Sequence, residues 1–512
     1  MSEFSLGGDV VVAVVGAGAM GAGIAQIAAQ SGHQVLLYDA KQGAAQTAID
    51  SISKQLAVRV ERAKLSEGQR SQTLRCLRAV DSIEAIAGSA LVVEAIVEKL
   101  EAKRELFALL ESVLGDEVVF ATNTSSISIT SIAAGLRRPE RVVGMHFFNP
   151  AVVMPLVEVV SGAATDIAVA EGVFQLAGQW GKTPVHAKST PGFIVNRVAR
   201  PFYAEGLRLY QEGVAAPETL DAIIRVCGGF RMGPFELMDL IGHDVNYSVT
   251  RSVFDGYYGD PRFAPSLVQL ELVNAGFLGR KTGRGFYNYA DSSRRPDPAV
   301  EPSTPPPSSE IVVNTSHPVG SAISKRLIGG GLNVVEFSES TEQDWIARFG
   351  AAVVAMTDGR SASQRAAESS IDQLILLDLL LDPEHAKGIA ISSSAKCSAS
   401  GRQVVVGMLQ AAGFDVYSVA DSPGLVVMRT VAMLANEACD AVHQAVCTPA
   451  AVDVAMRGGV NYPKGPIAWA AQLGADVVLG VVDHLYDHYR EPRYRASPRL
   501  RELQWTGANI YE

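Results

Sequence analysis

Cysteine is scarce in this chain. Its five residues (Cys76, Cys227, Cys397, Cys439, Cys447) are an odd count with no CxxC pair, which excludes a disulfide framework and a zinc ribbon and leaves no metal site to expect. Basic charge is also in deficit, since Lys+Arg 44 against Asp+Glu 54 gives a formal net charge of −10. That balance speaks against dedicated nucleic-acid binding. No apolar run reaches the ~18 residues that span a bilayer, and the Leu374–Leu381 region is short and interrupted by Asp378. The amino terminus carries Glu3 and Asp9 where a signal peptide has its basic region. These absences predict a soluble, reduced, cytoplasmic protein with neither membrane nor nucleic acid as partner.

With 48% apolar and 19% charged residues the 512-residue chain has ample core material, and at ~150 residues per domain it holds about two to four domains. Val10–Val15 is a short apolar run suited to a strand buried on both faces. Gly16–Gly23 follows, then a helical pattern over Ile24–Ser31 and further buried runs at Val35–Asp39, Leu91–Ala95, Val118–Ala121 and Arg141–His146. Strand and helix alternating at this spacing predict a parallel α/β sheet with right-handed crossovers. From about Pro191 the period becomes helical, beginning with Phe193–Glu212 and continuing to about Gly276.

Residues 291–310 contain six prolines and several serines, the composition of an extended, solvated linker. Beyond them, residues 311–420 return to α/β character, with strand-like Val334–Phe337, Ala352–Ala355 and Gly388–Ser392. The last part repeats an earlier one. An ungapped shift of 232 positions pairs Pro191-Gly192 with Pro423-Gly424, Arg197 with Arg429, Glu205 with Glu437, Gly233-Pro234 with Gly465-Pro466 and Asp244 with Asp476. The helical domain is duplicated.

Gly16-Ala17-Gly18-Ala19-Met20-Gly21 is a GxGxxG turn between a buried strand and a helix, with Asp39 closing the next strand. In that setting Gly16 makes the turn, Gly18 admits a pyrophosphate, Gly21 packs the helix on the sheet, and Asp39 accepts from a ribose hydroxyl. A carboxylate there repels a 2′-phosphate, so NAD is expected rather than NADP. Ser125, His146, Glu158 and Asn196 form a second constellation. His146 ends a strand at the side of the sheet where ligands bind, and Glu158 is placed to orient its ring. Ser125 and Asn196 are neutral donors for an oxygen that alternates between hydroxyl and carbonyl. Spacing alone leaves His146 open to a second reading, a hydrogen-bonded core histidine.

Residues 10–290 resemble the L-3-hydroxyacyl-CoA dehydrogenase family. The matching stretches include Val14–Gly21, Val93–Glu98, Thr122–Ser126, Gly144–Pro150, Pro191–Arg197, Met232–Leu237 and Gly283–Tyr287. The resemblance implies a Rossmann-type NAD domain (1–189) and an all-α, 6-phosphogluconate-dehydrogenase-like domain (190–290). A linker (291–310), a degenerate α/β segment (311–420) and a second helical copy (421–512) would follow. It implies that His146 is the base, Glu158 its partner, and Ser125 and Asn196 the holders of the substrate oxygen. Ala19 and Met20 would join the glycines at the cofactor, and Glu98, Lys103, Asn123 and Asn149 would line the nicotinamide side. The implied reaction is oxidation of the (S)-3-hydroxyl of an acyl-CoA to the 3-keto form.

The extra half, with Gly229–Pro234 and Leu240–Asp244, resembles family members that act on 3-hydroxyadipyl-CoA in phenylacetate breakdown. Members acting on 3-hydroxybutyryl-CoA are the alternative, and a non-catalytic dinucleotide sensor is the alternative of another class. A terminal carboxylate needs a cation, for which Arg231 and then Arg200 are candidates. Lys54, Arg59, Arg62 and above all Lys64 are candidates for nucleotide phosphates of CoA; all these cations are equally readable as solvated charges. In the second copy Asn196 is replaced by Met428, Arg200 by Ala432 and Arg231 by Pro463, so a second active site is not expected. Single-copy relatives pair through their helical domains, and the resemblance implies that the second copy stands in for such a partner within one chain.

Overall fold

The structure, a computed structural model, describes residues 6–7, 10–290, 296–306, 310–338 and 345–512. Two compact units are present: Met1–Arg197 with Gln444–Val460, and Val198–His443 with Asn461–Glu512. All five cysteines are free thiols. No single helix among the described residues is long and apolar enough to cross a membrane.

The first unit is built on β1 (Val12–Val15), β2 (Val35–Tyr38), β3 (Leu77–Val80), β4 (Leu91–Glu94), β5 (Val119–Thr122), β6 (Val142–Phe147), β7 (Leu156–Ser161) and β8 (Thr183–Lys188). They lie in the order β3-β2-β1-β4-β5-β6-β7-β8. Strands β1 to β6 run parallel; β7 is antiparallel to β6, and β8 parallel to β7. β1, β4 and β5 are buried along their length, which is why they read as apolar runs without alternation. Strand order reverses between β1 and β4, opening the crevice in which doubly wound sheets bind ligands.

The second unit holds the two helical copies and a second sheet. Its strands are β9 (Ile311–Asn314), β10 (Val334–Phe337), β11 (Trp345–Phe349), β12 (Ala352–Met356), β13 (Leu374–Leu377), β14 (Gly388–Ser393) and β15 (Asp415–Ser418), in the order β10-β9-β11-β12-β13-β14-β15. β11 runs antiparallel to both neighbours. Proline opens the helices Pro217–Val226, Pro234–Ile241 and Pro466–Leu473, the one helical position where its missing N–H costs nothing.

Residues 296–306 are extended, but they are not the free, solvated linker that their composition predicts. Glu301 N donates to Val416 O (2.8 Å), and Gln410 Nε2 donates to Glu301 O (3.1 Å) and Pro302 O (2.9 Å). Thr304 N donates to Gln410 Oε1 (2.7 Å). A proline-rich strap keeps its carbonyl acceptors even where it loses N–H donors, and the helix Ala399–Ala411 uses them.

The repeat reaches further back than the sequence reading, which begins it at Pro191. At the same offset β7 coincides with β14, helix Ile167–Gln179 with Ala399–Ala411, and Pro234–Ile241 with Pro466–Leu473, end to end. β6 and β13 also start in register, so the degenerate sheet is a copy of the first from about β5 onward. Burial pattern has survived there where residue identity has not.

Each helical copy lends one helix to the other copy's sheet. In the first unit, Pro449–Val460 packs on β7 and β8, and Lys188 N donates to Val446 O (2.9 Å). In the second unit, Pro217–Val226 packs on β14, and Ala420 N donates to Val214 O (3.0 Å). Lys188 and Ala420, like Val214 and Val446, are the same repeat positions. Arg197 Nη1 donates to Gln444 (2.8 Å) and Arg429 Nη1 to Glu212 (3.0 Å), again at equivalent positions.

Candidate active site

Two features of the first unit lie on the ligand-binding side of its sheet. At the end of β1, Gly16 has φ +105° and a Cβ there would lie 2.5 Å from Ala95 O; one on Gly21 would lie 1.8 Å from Gly16 O. Gly18 has open space instead, and it begins the helix Ala19–Gln30 without any side-chain cap. Unsatisfied N–H groups and the helix dipole therefore face a place where a phosphate fits. Met20 is the second residue of that helix. Asp39 holds the turn, its Oδ2 accepting from Ala17 N (2.7 Å) and its Oδ1 from Lys41 N (2.9 Å). A cleft of about 660 Å³ opens here, lined by Gly18, Ala19, Lys41 and Asn149 among others. These residues fit a dinucleotide.

At the carboxyl end of β6, His146 faces Glu158 across the antiparallel pair with β7. Nδ1 lies 2.6 Å from Glu158 Oε2, so the imidazole donates there and leaves Nε2 as its basic nitrogen. Glu158 is fully buried, and its Oε1 accepts from Ile194 N (3.0 Å) and Val195 N (2.9 Å) at the start of the helix Val195–Val198. One carboxylate thus sets both the ring and the helix that carries Asn196. Phe148 and Phe193 pack on the imidazole at 4.5 and 5.8 Å between centroids. Phe193 has φ +48°, a turn that brings the chain back to Glu158 at once.

Asn196 Nδ2 donates to Ser125 O (3.4 Å), and Ser125 donates through N (2.9 Å) and Oγ (3.2 Å) to Glu98 Oε1. Burial raises the Glu98 carboxyl, but Lys103 and the hydrogen bonds from Thr124 and Ser125 hold it below the usual carboxylate range. Asn123 Oδ1 accepts from Phe147 N (2.8 Å) and so fixes the end of β6. Lys103 departs from its expected place on a cleft wall. It is 1% exposed and bound to Glu94 (2.6 Å) and Glu98 (3.3 Å), so it acts on the site only through Glu98.

Sequence reasoning passed over Glu94. It is fully buried and accepts from Lys103, Thr122 Oγ1 (2.6 Å) and Ile96 N (2.7 Å). A lone acid in an otherwise apolar strand was the available signal. Lys54, Arg59, Arg62 and Lys64 are exposed on or beside the helix Ala44–Glu61. In the second unit, Arg231 is exposed and has no ion pair among the described residues, whereas Arg200 is buried.

Comparison with known proteins follows the same outline. The profile of the 3-hydroxyacyl-CoA dehydrogenase NAD binding domain matches residues 11–190, and that of the family's C-terminal domain matches 192–289 and 424–509. The 3-hydroxybutyryl-CoA dehydrogenase reduced Rossmann-fold domain matches 354–423. The 3-hydroxyadipyl-CoA dehydrogenase of Escherichia coli (strain K12) is 45% identical over 496 residues, 96% of either chain. The chain belongs to the 3-hydroxyacyl-CoA dehydrogenase family. Like the family, it is an NAD-dependent oxidoreductase, with a Rossmann-type domain, a helical domain, a reduced α/β segment and a second helical region. The crystal structure of 3-hydroxybutyryl-CoA dehydrogenase from Escherichia coli K12 matches it with a TM-score of 0.87 and 43% identity, covering 96% of this chain and 98% of that one. A (S)-3-hydroxybutyryl-CoA dehydrogenase structure from Ralstonia eutropha matches with a TM-score of 0.54 and 36% identity, covering 55% of this chain and all (100%) of its own. That enzyme has the length of the first half alone.

Proposed function

We propose that the chain oxidises (S)-3-hydroxyacyl-CoA thioesters to the 3-keto form, with 3-hydroxyadipyl-CoA as its substrate in the cytoplasmic breakdown of phenylacetate. The observation that carries the reaction is the buried His146–Glu158 pair, 2.6 Å apart, which leaves Nε2 without a protein partner among the described residues. His146 Nε2 takes the proton of the 3-hydroxyl, and Glu158 stabilises the resulting imidazolium and keeps the ring in the productive orientation. Ser125 and Asn196 hold the substrate oxygen as it changes from hydroxyl to carbonyl. NAD, when bound, supplies the acceptor for the hydride that leaves C3. Gly16, Gly18, Ala19, Met20, Gly21 and Asp39 hold its adenosine and pyrophosphate side; Glu98, Asn123 and Asn149 border the other end, with Lys103 behind Glu98. Lys64 contacts the CoA phosphates.

The acyl preference rests on likeness to the Escherichia coli 3-hydroxyadipyl-CoA dehydrogenase along nearly the whole chain. The second helical copy serves as an internal partner, a reading supported by the exchange of Pro449–Val460 and Pro217–Val226 between sheets. NAD-linked rates with 3-hydroxyadipyl-CoA and 3-hydroxybutyryl-CoA, compared as kcat/KM, test the proposal. Preference for the adipyl thioester is expected. Preference for the butyryl thioester overturns the substrate and keeps the chemistry; no turnover of either overturns both.

A further inference from the structure

Arg200 is the first residue of the helix Arg200–Gln211 and follows Asn196 by four positions. It is 5% exposed and has no carboxylate at ion-pair distance among the described residues. Its Nη1 donates to Thr250 Oγ1 (2.9 Å), its guanidinium lies 4.9 Å over the Tyr203 ring, and its Nε is buried without any acceptor. A buried cation with unused N–H groups is costly unless an anion meets it.

Arg200 lines a cavity of about 500 Å³ in the second unit. The other cations on that wall are matched by acids of the protein. Arg208 pairs with Glu491 (2.9 Å), Arg493 with Glu491 (3.2 Å), and Arg262 with Asp260 (2.8 Å) and Glu437 (3.2 Å). Arg200 alone faces the space with its charge unmatched. Burial without a counter-charge also pulls its pKa down, against only weak support from Tyr203 and Tyr462.

We infer that the Arg200 cavity binds an aliphatic carboxylate. The planar guanidinium and its free N–H groups suit that anion. A free aliphatic acid has this chemistry, and the cavity that would take it lies wholly within the second unit.

The test compares wild type with Arg200→Met and Arg200→Lys, the first keeping the stem over Tyr203 and the second keeping a charge. Millimolar glutarate is expected to raise the Tm of wild type and not of R200M, with R200K between. Without ligand the Tm of R200M stays at or above that of wild type, since an unpaired buried charge has been removed. The inference is overturned if neither glutarate nor adipate separates the Tm shifts of wild type and R200M.

Discussion

The two sheets carry the same strand pair with different contents. In the first, β6 brings His146 opposite Glu158 on β7, and Glu158 also accepts the N–H groups of Ile194 and Val195. In the second, the repeat positions are Asp378, which follows β13, and Ala390 on β14. Asp378 N donates to Ala390 O (2.9 Å), and its carboxylate accepts from Val426 N (2.9 Å), Val427 N (2.8 Å) and Met428 N (3.0 Å). The first two are the counterparts of Ile194 and Val195, which Glu158 serves in the first copy. The acid has crossed from one strand to the other and taken the histidine's place. The copy has thus kept the hydrogen bonds that seat the helix and dropped the histidine. Seating the helix and orienting a histidine are separable tasks, which the first copy assigns to one carboxylate.

The largest test of that contrast is His146→Ala. It removes the proposed base while Glu158 keeps its backbone donors, so kcat should fall roughly 10²–10⁴-fold with little change in Tm. A large loss of Tm would mean that the histidine seats the helix as well. Next comes Arg429→Ala. Arg429 is fully buried and holds Glu205 (2.7 Å) and Glu212 (3.0 Å). Removing it leaves Glu205 buried without its cation, at an expected cost of about 3–5 kcal/mol, read as a lowered unfolding midpoint. An unchanged midpoint would make the second arginine expendable.

A smaller effect is expected where helix and strand touch. A Cβ on Gly458 would lie 3.3 Å from Leu156 Cβ, and at the equivalent place a Cβ on Gly388 would lie 3.2 Å from Val226. Bulk sits on the strand in one unit and on the helix in the other. Gly458→Val should therefore cost about 1–3 kcal/mol by overpacking, and adding Leu156→Ala should recover part of it. No recovery would show that the two surfaces are not complementary.

A further effect concerns pH. Burial pushes the Asp378 carboxyl from its ordinary 3.8 up to about 6, against the pull of its four backbone donors. A raised carboxyl binds its proton more tightly when folded, so its stabilisation is full below the unfolded value and is lost as pH rises through about 6. The Tm of wild type relative to Asp378→Asn should fall between about pH 4 and 6.5; parallel curves would contradict this.

Much of the fold and site was legible in the sequence, for physical reasons that also mark where legibility ends. Val12–Val15 and Gly16–Gly21 read directly because a doubly covered strand and a close phosphate approach permit few other residues. The repeat was visible from Pro191 because turns and caps need particular residues, such as Gly233-Pro234 and Gly465-Pro466. It was invisible upstream, where β14 asks only for buried volume and any mixture of apolar residues satisfies it. β8 mixes exposed and buried positions and includes a proline, so its residues do not stand out as a strand in the sequence. Nothing local tells a helix which of two similar sheets to cover, so the exchange of Pro449–Val460 could not be read from its own residues. The burial of Lys103 against Glu94 is not legible in the sequence, because that pair forms only once β4 is buried.

The Gly458–Leu156 and Val226–Gly388 contacts have a consequence for how such a chain can change. Two identical subunits that meet across a symmetry axis must present the same residue at both equivalent contacts. A mutation there acts twice, and a glycine opposite a leucine on one side imposes the same pair on the other. One gene that encodes both sides is released from that rule. Each contact can then drift alone and be corrected alone, and the inverted placement of glycine in the two units is a difference that no homodimer could hold.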